Sequence, residues 1–248
     1  MSDHPRLAAT VLVVRDDPLR VLMVKRSVRG AFPSALVFPG GVVERGDADA
    51  PWLPTLDSPE KWTEAERTVR IAAVREVYEE VGMVIAAESQ LATLATDADR
   101  ANLPGVLRES DVVLHLDRLV PFGNWVTPAG LARRFDTHFF LYADRSEHEV
   151  VIDGQEIVDH EWVTPSDMID RARSGGERVL FPTLATLTQL GQHQSIDAAI
   201  EQALARPLPR VEPWREQRKD GTSVSRIPID AGYSLSELPY PQLDSTGL

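Results

Sequence analysis

Cysteine is absent from the 248 residues. That removes disulfides, thiolate zinc sites, iron–sulfur clusters and a thiol nucleophile, and it agrees with a reducing compartment. Long apolar runs are missing too. Ala8 to Val14 is about as long as they get, against the roughly 20 residues a membrane helix needs. Basic residues are in deficit, 26 against 38 acidic ones, for a formal charge of −12. A polyanion is not drawn to such a surface, so neither nucleic-acid nor acidic-membrane binding is expected. An anionic small molecule would need a metal ion or a local basic patch. The opening MSDHPRL has neither the basic start nor the apolar stretch of a secretory signal, and a cytoplasmic protein is expected. What is present is ordinary globular composition, 43% hydrophobic and 26% charged, in a chain long enough to fold without a metal or disulfide staple.

Leu7 to Arg15 and Arg20 to Arg26 are apolar, β-branched runs around Asp16-Asp17-Pro18, which predicts a hairpin. A loop carrying Arg29 leads to the short run Leu36-Val37-Phe38, stopped by Pro39-Gly40-Gly41. Residues 47–57 read as a surface excursion. Asp57-Ser58-Pro59-Glu60 offers a cap, an early proline and an acid three residues on. Helical character, with room for one break, is therefore expected from there to Val81, with Gly82 just past the end. Gln90 to Asp99 reads as a helix, and Asp111 to Leu119 fits either a helix or a strand. Strands are expected at Phe135–Tyr142 and Glu156–Val163, and helices at Pro165–Arg173 (capped by Thr164), Phe181–Leu190 and Ile196–Ala205. The tail from Pro207 holds six of the 18 prolines and is expected as an extended arm.

The informative stretch is Arg75-Glu76-Val77-Tyr78-Glu79-Glu80-Val81-Gly82. On a helix at about 100° per residue, Glu79 and Glu80 fall at about −60° and +40° from Glu76, so three carboxylates share an arc of about 100°. Val74, Val77, Tyr78 and Val81 occupy the opposite, core-facing side. Such crowding costs a few tenths of a kcal/mol per exposed pair, and it sits at the helix end where the dipole disfavours anions. A solvated acidic face is the plainer interpretation of any such run. A divalent cation would remove both costs, and clustered hard oxygens suit Mg²⁺ or Mn²⁺. Ala72 and Ala73 on the carboxylate side leave room for another backbone, which Gly40-Gly41 could supply.

Together these residues resemble the Nudix box: Gly, five residues, Glu, seven residues, Arg-Glu, an aliphatic, any residue, Glu-Glu, any residue, Gly, an aliphatic. Arg75 to Met83 matches the second half almost fully. Gly41 to Asp47 is similar to the first half, with Asp47 in place of the Glu. Residues 48–74 stand where the family has seven, an insertion of about 20 and a natural place for a specificity element. The stretches Val21–Asp47, Trp125–Pro128, Arg134–Phe140 and Trp162–Pro165 resemble the split-box branch that includes peroxisomal coenzyme A diphosphatases. The resemblance implies an α/β fold, an α/β/α sandwich with a mixed, partly open sheet between helices. It would span 6–192, with the insertion at about 48–70, followed by a C-terminal helix and arm at 193–248.

It further implies a metal-dependent hydrolase that cleaves the diphosphate linkage of a nucleoside diphosphate derivative by water attack on phosphorus. The substrate class stays open among coenzyme A-like, ADP-ribose-like and nucleotide-sugar compounds. Glu76, Glu79, Glu80 and the Gly41 carbonyl would hold Mg²⁺ or Mn²⁺. Glu79 and Glu80 would also serve in catalysis, with Arg75 orienting a carboxylate. Arg26, Arg29 and Arg134 are candidates for phosphate binding through forked donors. Glu147, Glu149 and Glu156 are candidates for a further general base, Glu156 foremost. Phe38, Trp125 and Phe135 could stack a base or simply fill the core. The six histidines show no metal-ligand spacing, and His138 is expected to be structural. A non-catalytic ligand-sensing or scaffold module is the alternative, and a homodimer is left open.

Overall fold

The computed structural model describes residues 4–28, 33–86, 100–145 and 149–239. The helix expected at Gln90–Asp99 lies outside them, as do Arg29 and Glu147. Strands β1 (Arg6–Arg15) and β2 (Arg20–Arg26) form the expected hairpin, with Val14 opposite Val21 and Arg15 opposite Arg20. The short strands β3 (Leu36–Val37) and β4 (Gly40–Val42) flank Phe38-Pro39. Helix α1 (Glu64–Val81) follows the insertion, and α2 (Leu103–Glu109) precedes β5 (Val120–Val126) and β6 (Phe135–Ala143). Then come β7 (Ile157–Val163), α3 (Pro165–Arg173), α4 (Phe181–Leu190) and α5 (Ile196–Ala205). The C-terminal strands are β8 (Arg210–Val211), β9 (Trp214–Gln217), β10 (Ser223–Arg226) and β11 (Glu237–Pro239).

The main sheet runs β3-β2-β1-β6-β5-β8, with β4 also on β1 and β7 on β2. It is mixed: β1 lies parallel to β6 and antiparallel to β2. Both faces are covered, which is why β1 reads as one continuous apolar run instead of an alternating one. Leu12 and Val14 point into a core with α3, α4 and α5. Ala9, Val11 and Val13 point the other way, into a core with α1. This is the expected α/β/α sandwich.

Four expectations need correction. Helix α1 starts later than Asp57–Glu60, where Pro59–Lys61 makes only a 3₁₀ turn. Its cap is Thr63, whose hydroxyl accepts from the Glu66 amide at 3.3 Å while Glu66 accepts from the Thr63 amide at 3.0 Å. That reciprocal pair satisfies two orphan donors, which the Asp57 position does not. Residues 111–119 are neither helix nor strand but a turn, a bridge at Leu114 and a 3₁₀ turn at Leu116–Arg118. The tail is more than an arm. β8 extends the main sheet beside β5, β9–β11 form a three-stranded sheet, and Ile227, Ala231, Tyr233 and Leu238 enter the same core as Trp125 and Phe181.

The insertion is also less of an excursion than expected. Trp52 and Leu56 are buried in the α1-side core, and Leu114 bonds Thr55 and Asp57 through the backbone at 2.8 and 2.9 Å. Trp52 donates its indole N–H to the Gly46 carbonyl at 3.0 Å, bracing the loop that carries Asp47.

Candidate metal centre and substrate cleft

Helix α1 ends at Gly82, which sits at φ 72° and returns its amide to the Tyr78 carbonyl. The last turn therefore stops with Glu76 and Glu80 against β4 and Glu79 bonded to Arg75. Gly40 donates its amide to Glu80 Oε2 at 2.8 Å. A Cβ on Gly40, at φ +152°, would meet the Ala9 carbonyl oxygen at 2.4 Å. One on Gly41 would meet the Glu76 carboxylate at 2.5 Å. Only glycine lets this bend press against the carboxylates. Thr10 fixes the bend from behind, donating to the Pro39 carbonyl at 2.8 Å.

Arg75 gathers the remaining acids. Its Nε and Nη2 donate to the two Asp47 oxygens at 2.7 and 3.1 Å, and Nη1 reaches Glu76 at 2.9 Å and Glu79 at 2.8 Å. Nη2 also bonds the Val42 carbonyl at 3.0 Å. Asp47 is 1% exposed, so this is a buried, forked ion pair. Burial alone would lower the Arg75 pKa, but the Asp47 hydrogen bonds and the charges of Glu76 and Asp47 outweigh it and raise it. On the other flank, Arg26 lies 3.5 Å from Glu80 Oε1 and pairs with Glu156.

Burial pushes the Glu80 carboxyl up to about 8, against opposition from the Gly40 amide and Arg26. Burial also raises Glu76 and Glu79, with Arg75 opposing. Stability follows in sign. The folded Glu80 keeps its proton to about pH 8 while the unfolded one releases it near 4.5. Its stabilising contribution is therefore full below pH 4.5 and lost as pH rises through 8. Metal-free melting temperature should fall between pH 5 and 8, and less steeply in Glu80→Gln, as scanning calorimetry would record.

The same bend borders a cleft of about 200 Å³. Arg26, Gly40 and Gly41 stand at one part of its wall, and Trp125, Phe135, Phe139 and Phe181 at another. Trp125 and Phe38 are 2% exposed, so each is both core and cleft wall.

The family model for the NUDT19 Nudix domain matches residues 59–189, the stretch that holds this helix. The chain belongs to the Nudix family. A Caenorhabditis elegans protein provisionally named nudix hydrolase 7 is 30% identical over 200 residues, 77% of this chain and 62% of that one. The human acyl-coenzyme A diphosphatase NUDT19 is 27% identical over 254 residues, 79% of this chain and 66% of that one. The crystal structure of a Nudix hydrolase from Alicyclobacillus acidocaldarius superposes with a TM-score of 0.67 at 27% identity, covering 81% of this chain and 97% of that one. The chain spans 62–74% of the length of the curated relatives it matches.

Within this Nudix domain, the structure brings Gly41, Arg75, Glu76, Glu79 and Glu80 together and adds Asp47 to them. Arg26 joins the group, whereas Arg29 and Glu147 lie outside the described residues. Arg134 does not join it. Its guanidinium donates to the Thr127 carbonyl at 3.0 Å and to Glu212 at 2.8 Å, clamping a strand end to the tail. Glu149 is exposed, and Glu156 is the general-base candidate placed beside Arg26. His138 stacks on Phe140, as a structural residue does. Sequence reasoning missed Leu180, Pro182, Pro213 and Ser225 as cleft residues, since no motif marks them. The inserted segment lines none of the cleft.

The residues fit a divalent cation on two observations. Glu80 Oε1 is buried without a hydrogen-bond partner, an expensive state for a carboxylate oxygen. The Glu76 carboxylate also occupies the space a Gly41 side chain would fill. Among the described residues no three acids or histidines already converge as a ligand set. Arg75 accounts for that, because it draws Glu76 and Glu79 into ion pairs.

Proposed function

We propose that this chain is a metal-dependent diphosphate hydrolase acting on a nucleoside diphosphate derivative, with acyl-coenzyme A the foremost substrate class. The observation that carries it is the buried Glu80 carboxylate, whose Oε1 has no hydrogen bond and only the Arg26 guanidinium near it at 3.5 Å, next to a cleft whose wall also holds Arg26. The substrate class rests on the relatives named as acyl-coenzyme A diphosphatases and on the apolar walls of the cleft.

Glu76, Glu79, Glu80 and the Gly41 carbonyl would hold Mg²⁺ or Mn²⁺. Such an ion supplies charge cancellation on the diphosphate and a water acidic enough to attack phosphorus. The chain's residues do the remainder. Arg75, fixed by Asp47, holds Glu76 and Glu79 within one turn and sets their orientation. Arg26 presents its guanidinium to a phosphate oxygen, and its pairing with Glu80 and Glu156 positions it beforehand. Glu156, exposed and paired with Arg26, would take a proton from the attacking water. Trp125, Phe135 and Phe181 exclude water from the organic part of the substrate.

Incubation of the chain with coenzyme A, an acyl-coenzyme A, ADP-ribose and nucleotide sugars, with Mg²⁺ and with EDTA, tests this. Metal-dependent cleavage within a P–O–P linkage is expected. Release of a carboxylic acid, or of inorganic phosphate from a monoester, would contradict it.

A further inference from the structure

The substrate cleft is closed by chain that lies beyond the matched family domain. Residues 59–189 carry that match, yet Pro213 and Ser225 stand in the cleft wall beside Trp125 and Phe181. We propose that the C-terminal sheet is a specificity element of the proposed diphosphatase site, with Pro213 and Ser225 limiting the size of the substrate's non-phosphate group.

The placement of both residues is built, not incidental. Val211 is in ladder register with Trp125, and Glu212 accepts from the Ala129 amide at 3.0 Å and from Arg134 at 2.8 Å. Pro213 therefore follows two consecutive residues tied to the main domain, and its ring needs no hydrogen-bond partner where it enters an apolar cleft. Ser225 sits mid-strand, paired on one side with Arg215 and on the other with Leu238. It is 8% exposed and is one of the residues that line the cleft.

The sheet is anchored against the domain from the far side. Tyr233 accepts the Trp125 indole N–H at 2.8 Å, with their rings 5.0 Å apart. Gly123 is required there, since a Cβ would meet the Tyr233 hydroxyl at 2.3 Å. Arg206 lies over the Phe122 and Tyr233 rings and donates to the Gly232 carbonyl at 3.2 Å. A wall held this way does not yield to a larger substrate, and a small residue in it sets the available room. Since Ser225 is small, a bulkier residue there subtracts from the space of the substrate and leaves the carboxylate turn untouched.

The test compares full-length Ser225→Phe with wild type on whichever diphosphate wild type turns over, in Mg²⁺. KM should rise at least about tenfold, with kcat and the Mg²⁺ concentration for half-activity unchanged. Ile229→Phe, on the same segment but 89% exposed, should match wild type. An active wild type together with a folded Ser225→Phe of unchanged KM overturns the inference and leaves the diphosphatase reading intact. No turnover by wild type overturns that reading instead. A second measurement needs neither folding of the variant nor turnover. In Mg²⁺ with a non-hydrolysable methylene-bridged diphosphonate analogue of acyl-coenzyme A, amide exchange of the wild-type chain should slow across residues 211–226. Slowing at residues 40–42 and 180–183 without slowing at 211–226 overturns the inference, and no slowing anywhere overturns the diphosphatase reading instead.

Discussion

Glu80→Gln should cut metal-dependent turnover by about 10²–10³-fold, the scale of losing one electrostatic contact to a developing charge, while making the metal-free protein more stable at pH 8. The two effects have one origin. Glu80 is 3% exposed, one of its oxygens accepts from Gly40 at 2.8 Å, and the other has no hydrogen bond. An ionised carboxylate in that position is costly, and the Arg26 guanidinium 3.5 Å away offsets only part of that cost. Glutamine keeps an acceptor for the Gly40 amide and discards the charge. The metal-free chain should then gain about 2 kcal/mol at pH 8, well within the shift implied by a carboxyl moved from 4.5 to about 8. At pH 4.5 the gain should vanish, because both side chains are neutral there. Urea melts at the two pH values, beside initial rates in Mg²⁺, read this out. A residue with a purely structural role would lose stability and activity together.

Gly40→Ala is expected to cost about 3–5 kcal/mol, a sum of backbone strain and overpacking. At φ +152° the added Cβ lands 2.4 Å from the Ala9 oxygen and 2.5 Å from the Thr10 Cα. Both are backbone atoms of β1, a central strand that cannot give way alone. The β4 bend would have to lift off β1, and lifting it withdraws the Gly40 amide from Glu80. Stability and activity should therefore fall together here, in contrast to Glu80→Gln. Gly46→Ala, in the 3₁₀ turn after β4 and with nothing within 4 Å, serves as the control and should shift the urea midpoint little.

The carboxylate turn was legible because its signal is local. Arg75, Glu76, Glu79 and Glu80 sit within six residues, and helical spacing alone puts them on one side. Asp47 was legible as a match in position. Its role emerged only from the fold, which carries the chain through the whole insertion before Arg75 can reach back to it. The sandwich was readable for a related reason: an uninterrupted apolar β1 implies two covered faces. Helix α1 starts later than expected because Asp57–Glu60 and Thr63–Glu66 offer the same capping pattern, and the reciprocal hydrogen bonds form at the second. Arg134 looked like a phosphate ligand because a guanidinium's partner is invisible in sequence; Glu212, 78 residues later, claims it. The cleft was the least legible feature. Trp125, Phe181, Pro213 and Ser225 come from four separated segments, and their meeting depends on strand order.

Calorimetric titration of Mn²⁺ into the metal-free chain at pH 7.5, in two buffers of different ionisation enthalpy, is the most direct test of the carboxylate turn. Saturable binding with release of up to about one proton is expected, because Glu80 must ionise to ligate; Glu80→Gln should bind far more weakly and release none. Binding of equal strength in wild type, Glu76→Gln and Glu80→Gln, or no binding at all, would contradict the account.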